Sequence, residues 1–230
     1  MNQTSTKKRV FFQEIGYLIG ILLIELSISF MTKADFGLSM IIAPAYVLHL
    51  KVSEFLPFFT IGMASYTLQF VLIISIIIIR RKFKLSYFFA FITSVICGLL
   101  LDGINLLLAS VSFETSTLRI IMFFVGVVIC AFGVALMFRT YIAPEAYDLF
   151  VKEISSHFGI GTSKFKTAYD LSSLTVAVIL SFALFGLWSL NGIGIGTLVC
   201  ALLNGPLIGA FGKIFDKHFD FKPALKLKSK

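Results

Sequence analysis

The chain has 230 residues, of which 58% are apolar and only 14% charged, and its mean hydropathy is +0.96. That leaves too little polar surface to cover a water-soluble domain, so the composition excludes one and implies an integral membrane protein. The net charge of +8 lies largely in short stretches between apolar runs, where it reads as topology signals and contact with anionic lipid, not as a nucleic-acid-binding surface.

Lys7, Lys8 and Arg9 precede the first apolar run, as in a secretory signal. The run continues to Phe30, contains Glu25 and lacks a small-x-small cleavage site, so it is expected to stay as the first span. Runs of about 20 apolar residues, enough to cross about 30 Å of hydrocarbon, occur at roughly 11–32, 57–79, 86–109, 117–138, 165–187 and 193–212. Between the first two, FGLSMIIAPAYVLHL at 36–50 is apolar on every side around Pro44 and Tyr46. A helix with no polar face does not lie at the water boundary, so this segment is expected to dip into the protein as a re-entrant or buried half-helix. The N-terminal end of such a half-helix is a ready anion site; the alternative is that the prolines only shape packing. His49 in the same stretch reads as a satisfied buried histidine.

The third span carries Asp102 and Asn105 in LLLDGIN, and the polar patch SVSFETST at 110–117 separates it from the fourth. In the gap at 140–164, Pro144 suits a first helical turn, and Tyr147, Phe150, Val151 and Ile154 recur as one apolar stripe. The opposite face carries Glu145, Asp148, Lys152 and Ser155, with Asp148 and Lys152 spaced as an i,i+4 pair. This predicts a short interfacial helix over 144–156 that ends before Gly159 and Gly161. In the fifth span Asp170 follows Lys166 by one turn, close enough for simple neutralisation. The sixth has Asn204 and the glycines of NGIGIGTL and NGPLIG. These glycines lack a GK[ST] ending, so a phosphate loop is not expected, and small residues of this kind let helices approach closely.

An acid at a helix centre in the bilayer costs about 2.5–3.5 kcal/mol and by default marks an ion or substrate pathway. Glu25, Asp102 and Asp170 are therefore the candidate coupling or substrate carboxylates, against a structural pair or a neutral acid as alternatives. Glu25 and Asp102 fall about 20 Å from the inner edge. Asn105 and Asn204 join them as candidates, or serve as links between spans. None of the twenty Lys and Arg sits deep in a span, which favours a cationic or zwitterionic cargo, or H⁺ or Na⁺ coupling. Cys97, Cys130 and Cys200 read as small packing residues. No Ser/His/Asp set, HExxH or paired-Cys site occurs, so no catalytic residue, cofactor or metal is expected and the chain does not read as an enzyme.

With a cytoplasmic N-terminus, seventeen of the twenty Lys and Arg fall inside, against Lys33, Lys51 and Arg119 outside. That split supports six spans with both ends inside. The chain also reads as duplicated: an offset of 106 aligns SFMTK (29–33) with ALMFR (135–139), and one of 107 aligns CGLLLD (97–102) with NGPLIG (204–209). Because each copy (about 11–110 and about 117–213, before a basic tail at 214–230) holds three spans, the second must enter from the opposite side. An all-α membrane fold follows, an inverted repeat of two three-helix units, each with an interfacial or re-entrant half-helix, in one membrane domain.

The stretches APEAYDLFVKEIS, KTAYDLSS and GIGIGTLVCALLNGPLIGAF, with ADFGLSMIIAPAYVLHLKVSEFLPFF and RRKFKLSYFF, resemble the YczE/YitT-type family of small bacterial membrane proteins. The resemblance covers roughly 15–215 and rests most on Gly196, Thr197, Gly205, Pro206 and Asp170, with the Gly98 to Asp102 spacing in the third span. A Pro-Trp step usual after the first span is replaced by FGLSM. The resemblance implies a multi-pass protein of the bacterial plasma membrane with repeated helical halves, for which transport is the usual suggestion. The leading expectation is thus a secondary transporter of a small metabolite, with Pro44, Tyr46, Pro144, Tyr147 and Asp148 on moving elements. The alternatives are a membrane scaffold presenting RRKFK and the KPALKLKSK tail to lipid or a partner protein, and a passive channel. A homo-oligomer is left open.

Overall fold

The structure, a computed structural model, describes residues 8–224. Six helices are long and apolar enough to cross a membrane: α1 (Gln13–Ala34), α3 (Ile61–Arg80), α4 (Leu85–Leu107), α5 (Ser116–Met137), α7 (Thr162–Phe185) and α8 (Ile195–His218). Two short helices stand among them, α2 (Ala43–Ser53) and α6 (Ala146–Phe158). Each predicted span corresponds to one long helix, with differences at the ends that have physical causes. Residues 11 and 12 belong to a strand, β1 (Arg9–Phe12), and the supposed tail begins with the last turn of α8 followed by β2 (Phe219–Lys222). Lys7, and Lys226, Lys228 and Lys230 of the tail, lie outside the described residues.

The two strands pair in parallel, Arg9 opposite Phe219 and Phe12 opposite Lys222. Phe11 packs edge-on against Phe219 and tilted against Phe221. Gln13 donates to the Phe221 carbonyl at 3.0 Å, and Glu14 accepts from the Ala224 N–H and the Tyr141 hydroxyl. Both ends of the described chain therefore meet the C-terminal end of α5 on one side, as an even number of crossings requires.

The most extensive contact joins α1 and α5. They run antiparallel, because Gly20 lies against Gly133 and Met137 while Gly126 lies against Ser27 and Met31. A Cβ on Gly20 would stand 2.8 Å from Met137 Cγ, and one on Gly133 3.0 Å from the Gly20 carbonyl oxygen. Small residues at the seam thus let the backbones come together where lipid offers no hydrophobic drive. Around this pair α4 packs on α1 and α8 on α5, α3 packs on α4 and α7 on α8. Each short helix bridges the gap between α3 and α7: α2 touches both, and so does α6.

Both short helices run from a buried N-terminus to an exposed C-terminus. In α2, Ala43, Pro44 and Ala45 are buried, whereas Phe55 just past its end is exposed; in α6, Glu145 to Leu149 are buried and Phe158 is exposed. Pro44 occupies the first turn of α2, where its missing N–H costs nothing. The 36–42 part of the predicted half-helix is not helical: Leu38 donates to the Gly192 carbonyl and Gly196 to the Phe36 carbonyl, so it pairs with the loop before α8. Glycines of NGIGIGTL serve that backbone approach, with Gly37 at φ +132° and its would-be Cβ 2.6 Å from the Thr197 N. The close helix packing expected of NGPLIG is found at Gly205, against Ser163 and Thr167 of α7.

The expectation for 144–156 needs correction. The helix begins at Ala146, so Pro144 precedes it, and it ends at Gly159 in a left-handed conformation, φ 66°. It is not an interfacial helix with a wet acidic face: Glu145, Asp148 and Ser155 are buried. Asp148 pairs with Lys166 and not with Lys152, because α7 stands against the face that was expected to meet water. Element starts are offset by 103 residues for α1 and α5 (13 and 116) and for α2 and α6 (43 and 146), and by 110 for α4 and α8 (85 and 195). The offsets of 106 and 107 read from side chains follow the packing more closely than the element starts do: 106 carries Gly20, Ser27 and Met31 onto Gly126, Gly133 and Met137 across the α1–α5 seam, and 107 carries Gly98, which faces α3, onto Gly205, which faces α7.

Candidate functional site

The N-terminus of α6 needs partners for its first N–H groups, since a helix start leaves them without intrahelical acceptors. Neighbouring spans supply them. Ser94 of α4 accepts from the Ala146 N–H at 3.0 Å and Gln69 of α3 from the Tyr147 N–H at 3.4 Å. Ser94 also donates to Gln69 Oε1 at 2.7 Å, and Gln69 Nε2 donates to Glu145 Oε2 at 2.9 Å. An amide alone in an apolar helix thus fixes the short helix and the acid at its start. Glu145 in turn meets Glu25 of α1 and Cys97 of α4, the three offering ligand atoms all within 4.8 Å of one another.

On the other side of α6, Asp148 accepts from Lys166 Nζ at 2.9 Å. The same ammonium lies 3.7 Å from Asp170 Oδ1 and 4.2 Å from the centre of the Tyr147 ring. Tyr147 donates its hydroxyl to Asp170 Oδ1 at 2.6 Å. Lys166, Asp148 and Asp170 are all 0% exposed; Lys166, the fifth residue of α7, is thus near the start of its span and still buried in the protein. Asn204 of α8 is buried beside Asp170. Within the protein its amide atoms, and Glu145 Oε1, Asp148 Oδ2 and Asp170 Oδ2, complete no hydrogen bond. Among the described residues the buried charged groups are four carboxylates, Glu25, Glu145, Asp148 and Asp170, and one ammonium, Lys166.

A cavity of about 230 Å³ adjoins this network, lined among others by Pro44 of α2, Gln69 and Val71 of α3, Tyr147 of α6 and Tyr169 and Val176 of α7. Its wall includes Tyr147 and Tyr169 with ring centroids 4.7 Å apart. Gln69 and Tyr147 line it and at the same time hold Glu145 and Asp170, so they stand between the cavity and the acids.

The structure gathers some of the sequence candidates and separates others. Glu25, Asp148, Tyr147, Asp170 and Asn204 converge here, and Pro44 lines the cavity. Pro144 is buried just before α6. Tyr46 is turned away, against Gly192. Asp102 does not join: half-buried near the end of α4, it accepts from the Thr60 hydroxyl at 2.6 Å and the Gly62 N–H at 3.1 Å, so it anchors the start of α3. Asn105 is half-buried one turn further along. His49 is satisfied, its Nδ1 lying 2.7 Å from the Phe59 carbonyl oxygen. Gln69 and Ser94 escaped the reading of the residues and Cys97 was read only as packing, although Gln69, polar in the middle of an apolar span, carried the same signal that singled out Glu25.

Six apolar helices around buried acids define a multi-pass helical membrane protein. The chain belongs to a family of unknown function, DUF6198, which it matches over residues 11–213. It is also similar to the uncharacterized protein YyaS of Bacillus subtilis (strain 168), 27% identical over 207 residues that cover 88% of this chain and 94% of YyaS. No solved structure matches it.

Proposed function

We propose that this protein is a secondary transporter of a small cationic or zwitterionic metabolite in the bacterial plasma membrane, with both ends in the cytoplasm, as the charge split and the YczE/YitT resemblance suggest. The observation that carries the reading is the excess of acid in the interior: four buried carboxylates face one buried ammonium beside a mid-span cavity. Carboxylates crowded in a low-dielectric site do not all ionise. The N-terminus of α6 contributes roughly half a positive charge, which does not offset the excess. Protons or a cationic cargo supply the rest, and a cargo that displaces a proton is thereby coupled to the proton gradient. Gln69 and Tyr147 carry the influence of the acids to the cavity wall, while Lys166 keeps Asp148 and Asp170 from repelling one another.

The two halves are read as inverted repeats. Exchanging α1 with α5, α2 with α6, α3 with α7 and α4 with α8 maps the main packing pairs onto one another, and the antiparallel α1–α5 seam is what opposite insertion of two copies would produce. In such folds rocking of one repeat against the other gives alternating access to a site near the midplane. The half-helices α2 and α6, one at each end of the cavity, are the moving elements.

The test is flux in proteoliposomes with a trapped pH dye. Addition of amines and amino acids outside should give cargo-dependent proton movement for at least one compound. Asp170→Asn or Glu25→Gln should lower that flux about a hundredfold with the fold retained, whereas Asp102→Asn should stay within a few-fold. A protein that moves no amine, amino acid or sulfonate under any imposed gradient is not this transporter.

A further inference from the structure

Resting on the transport reading above, we propose that the cavity is loaded sideways from the bilayer and that its cargo is a lipophilic organic cation, a charge with an apolar envelope. The first support is where the cavity opens. Val71 is the eleventh residue of the 20-residue α3 and Val176 the fifteenth of the 24-residue α7, so both lie about 14–21 Å from their helix ends at 1.5 Å per residue. Both line the cavity and both are open to the outside, 52% and 49% exposed. Their neighbours on the same outer faces, Phe70, Ile74 and Ile179, are exposed apolar side chains, the surface a span presents to lipid. Two short helices cross the gap between α3 and α7, since α2 and α6 each touch both.

The second support is the chemistry of the wall. Gln69 is engaged by Ser94 and Glu145, Ser172 donates to the Ala168 carbonyl and Ser173 to the Met40 carbonyl. A cargo that needs many hydrogen-bond donors finds the protons of these groups already committed. Two aromatic rings, Tyr147 and Tyr169, line the wall; Phe150 stacks on Tyr169 with centroids 4.9 Å apart, and Lys166 Nζ lies 4.2 Å from the centre of Tyr147. Ring faces attract cations without hydrogen bonds, as Lys166 over Tyr147 illustrates; Asp170 stands behind Tyr147 and Glu145 behind Gln69. Apolar lining with negative charge at the back matches an alkylated or aryl ammonium better than a sugar, an anion or a free amino acid.

The experiment uses the full chain in lipid nanodiscs with benzyltrimethylammonium as probe and neopentylbenzene as its neutral isostere. Saturable binding of the cation is expected, with little competition from the isostere and at least a tenfold loss of affinity in Val176→Trp, which narrows the mouth. Should that variant fail to fold, as shown by melting and size exclusion, a nitroxide on Val176→Cys replaces it. The label should be reached by oxygen more than by an aqueous nickel chelate and lose mobility when the cation is added. No saturable binding, equal binding of the isostere, or a label reached mainly by the chelate overturns the proposal. Coupled flux of a hydrophilic amino acid by a protein that ignores benzyltrimethylammonium overturns it too, and leaves the transport reading standing; absence of both sinks both.

Discussion

The two short helices occupy matching places and differ in what they bring to the interior. The inner end of α2 offers Ala43, Pro44 and Ala45 and is held by backbone pairing of the 36–38 segment with the loop before α8. The inner end of α6 offers Glu145 and Asp148 and is held by side chains of α3, α4 and α7. One end is a fitted apolar wall and the other a charged socket. An architecture that treats its two ends alike has thus placed nearly all its buried charge on one of them. Similar placement of two helices does not fix which side chains they carry inward.

The charged end should be the easier to break. Lys166→Met leaves Asp148 and Asp170 buried without their ammonium, and removing one partner of a buried pair costs about 3–5 kcal/mol. Thermal denaturation in detergent should show the largest loss of the series, and the double change with Asp148→Asn should recover part of it. On the apolar end the comparable change is Gly37→Ala, at φ +132° with 2.6 Å to the Thr197 N. Its cost should be about 1–3 kcal/mol, and it should loosen α2 while leaving the α6 socket intact, as read by hydrogen exchange in the two segments. Gln69→Leu sharpens the contrast: it strands the Glu145 carboxylate, a loss of about 1–3 kcal/mol, and should raise exchange at Ala146 and Tyr147 but not at Ala45. The smallest effect belongs to the outer end of α2, where Lys51→Ala removes an exposed pair with Glu54, 2.6 Å apart. Such pairs contribute about 0–1 kcal/mol, and melting should hardly move.

The contrast also marks what the sequence can say. Long apolar runs give the spans to within a few residues, because crossing hydrocarbon imposes a length on each. The local stripe of Tyr147, Phe150, Val151 and Ile154 correctly implies a helix, and Gly159 its end. Its environment was not legible, since whether Glu145 and Asp148 meet water or α7 depends on packing between residues 18 apart or more, such as Asp148 and Lys166. For the same reason Asp102 and Glu25 look alike in the chain and part company in space, one anchoring α3 and the other meeting Glu145. The strand pair of the two ends gave no signal at all, as it joins segments more than 200 residues apart.

That strand pair ties α1, the first span, to α8, the last. If the molecule works by tilting one half against the other, this clasp lies across the dividing line on one face only. It acts as a strap that limits how far that face can gape while the opposite face stays free, so the two states of the cycle need not open equally wide. Peeling the strap, by trimming the chain up to Phe12, should therefore alter one half of the working cycle more than the other.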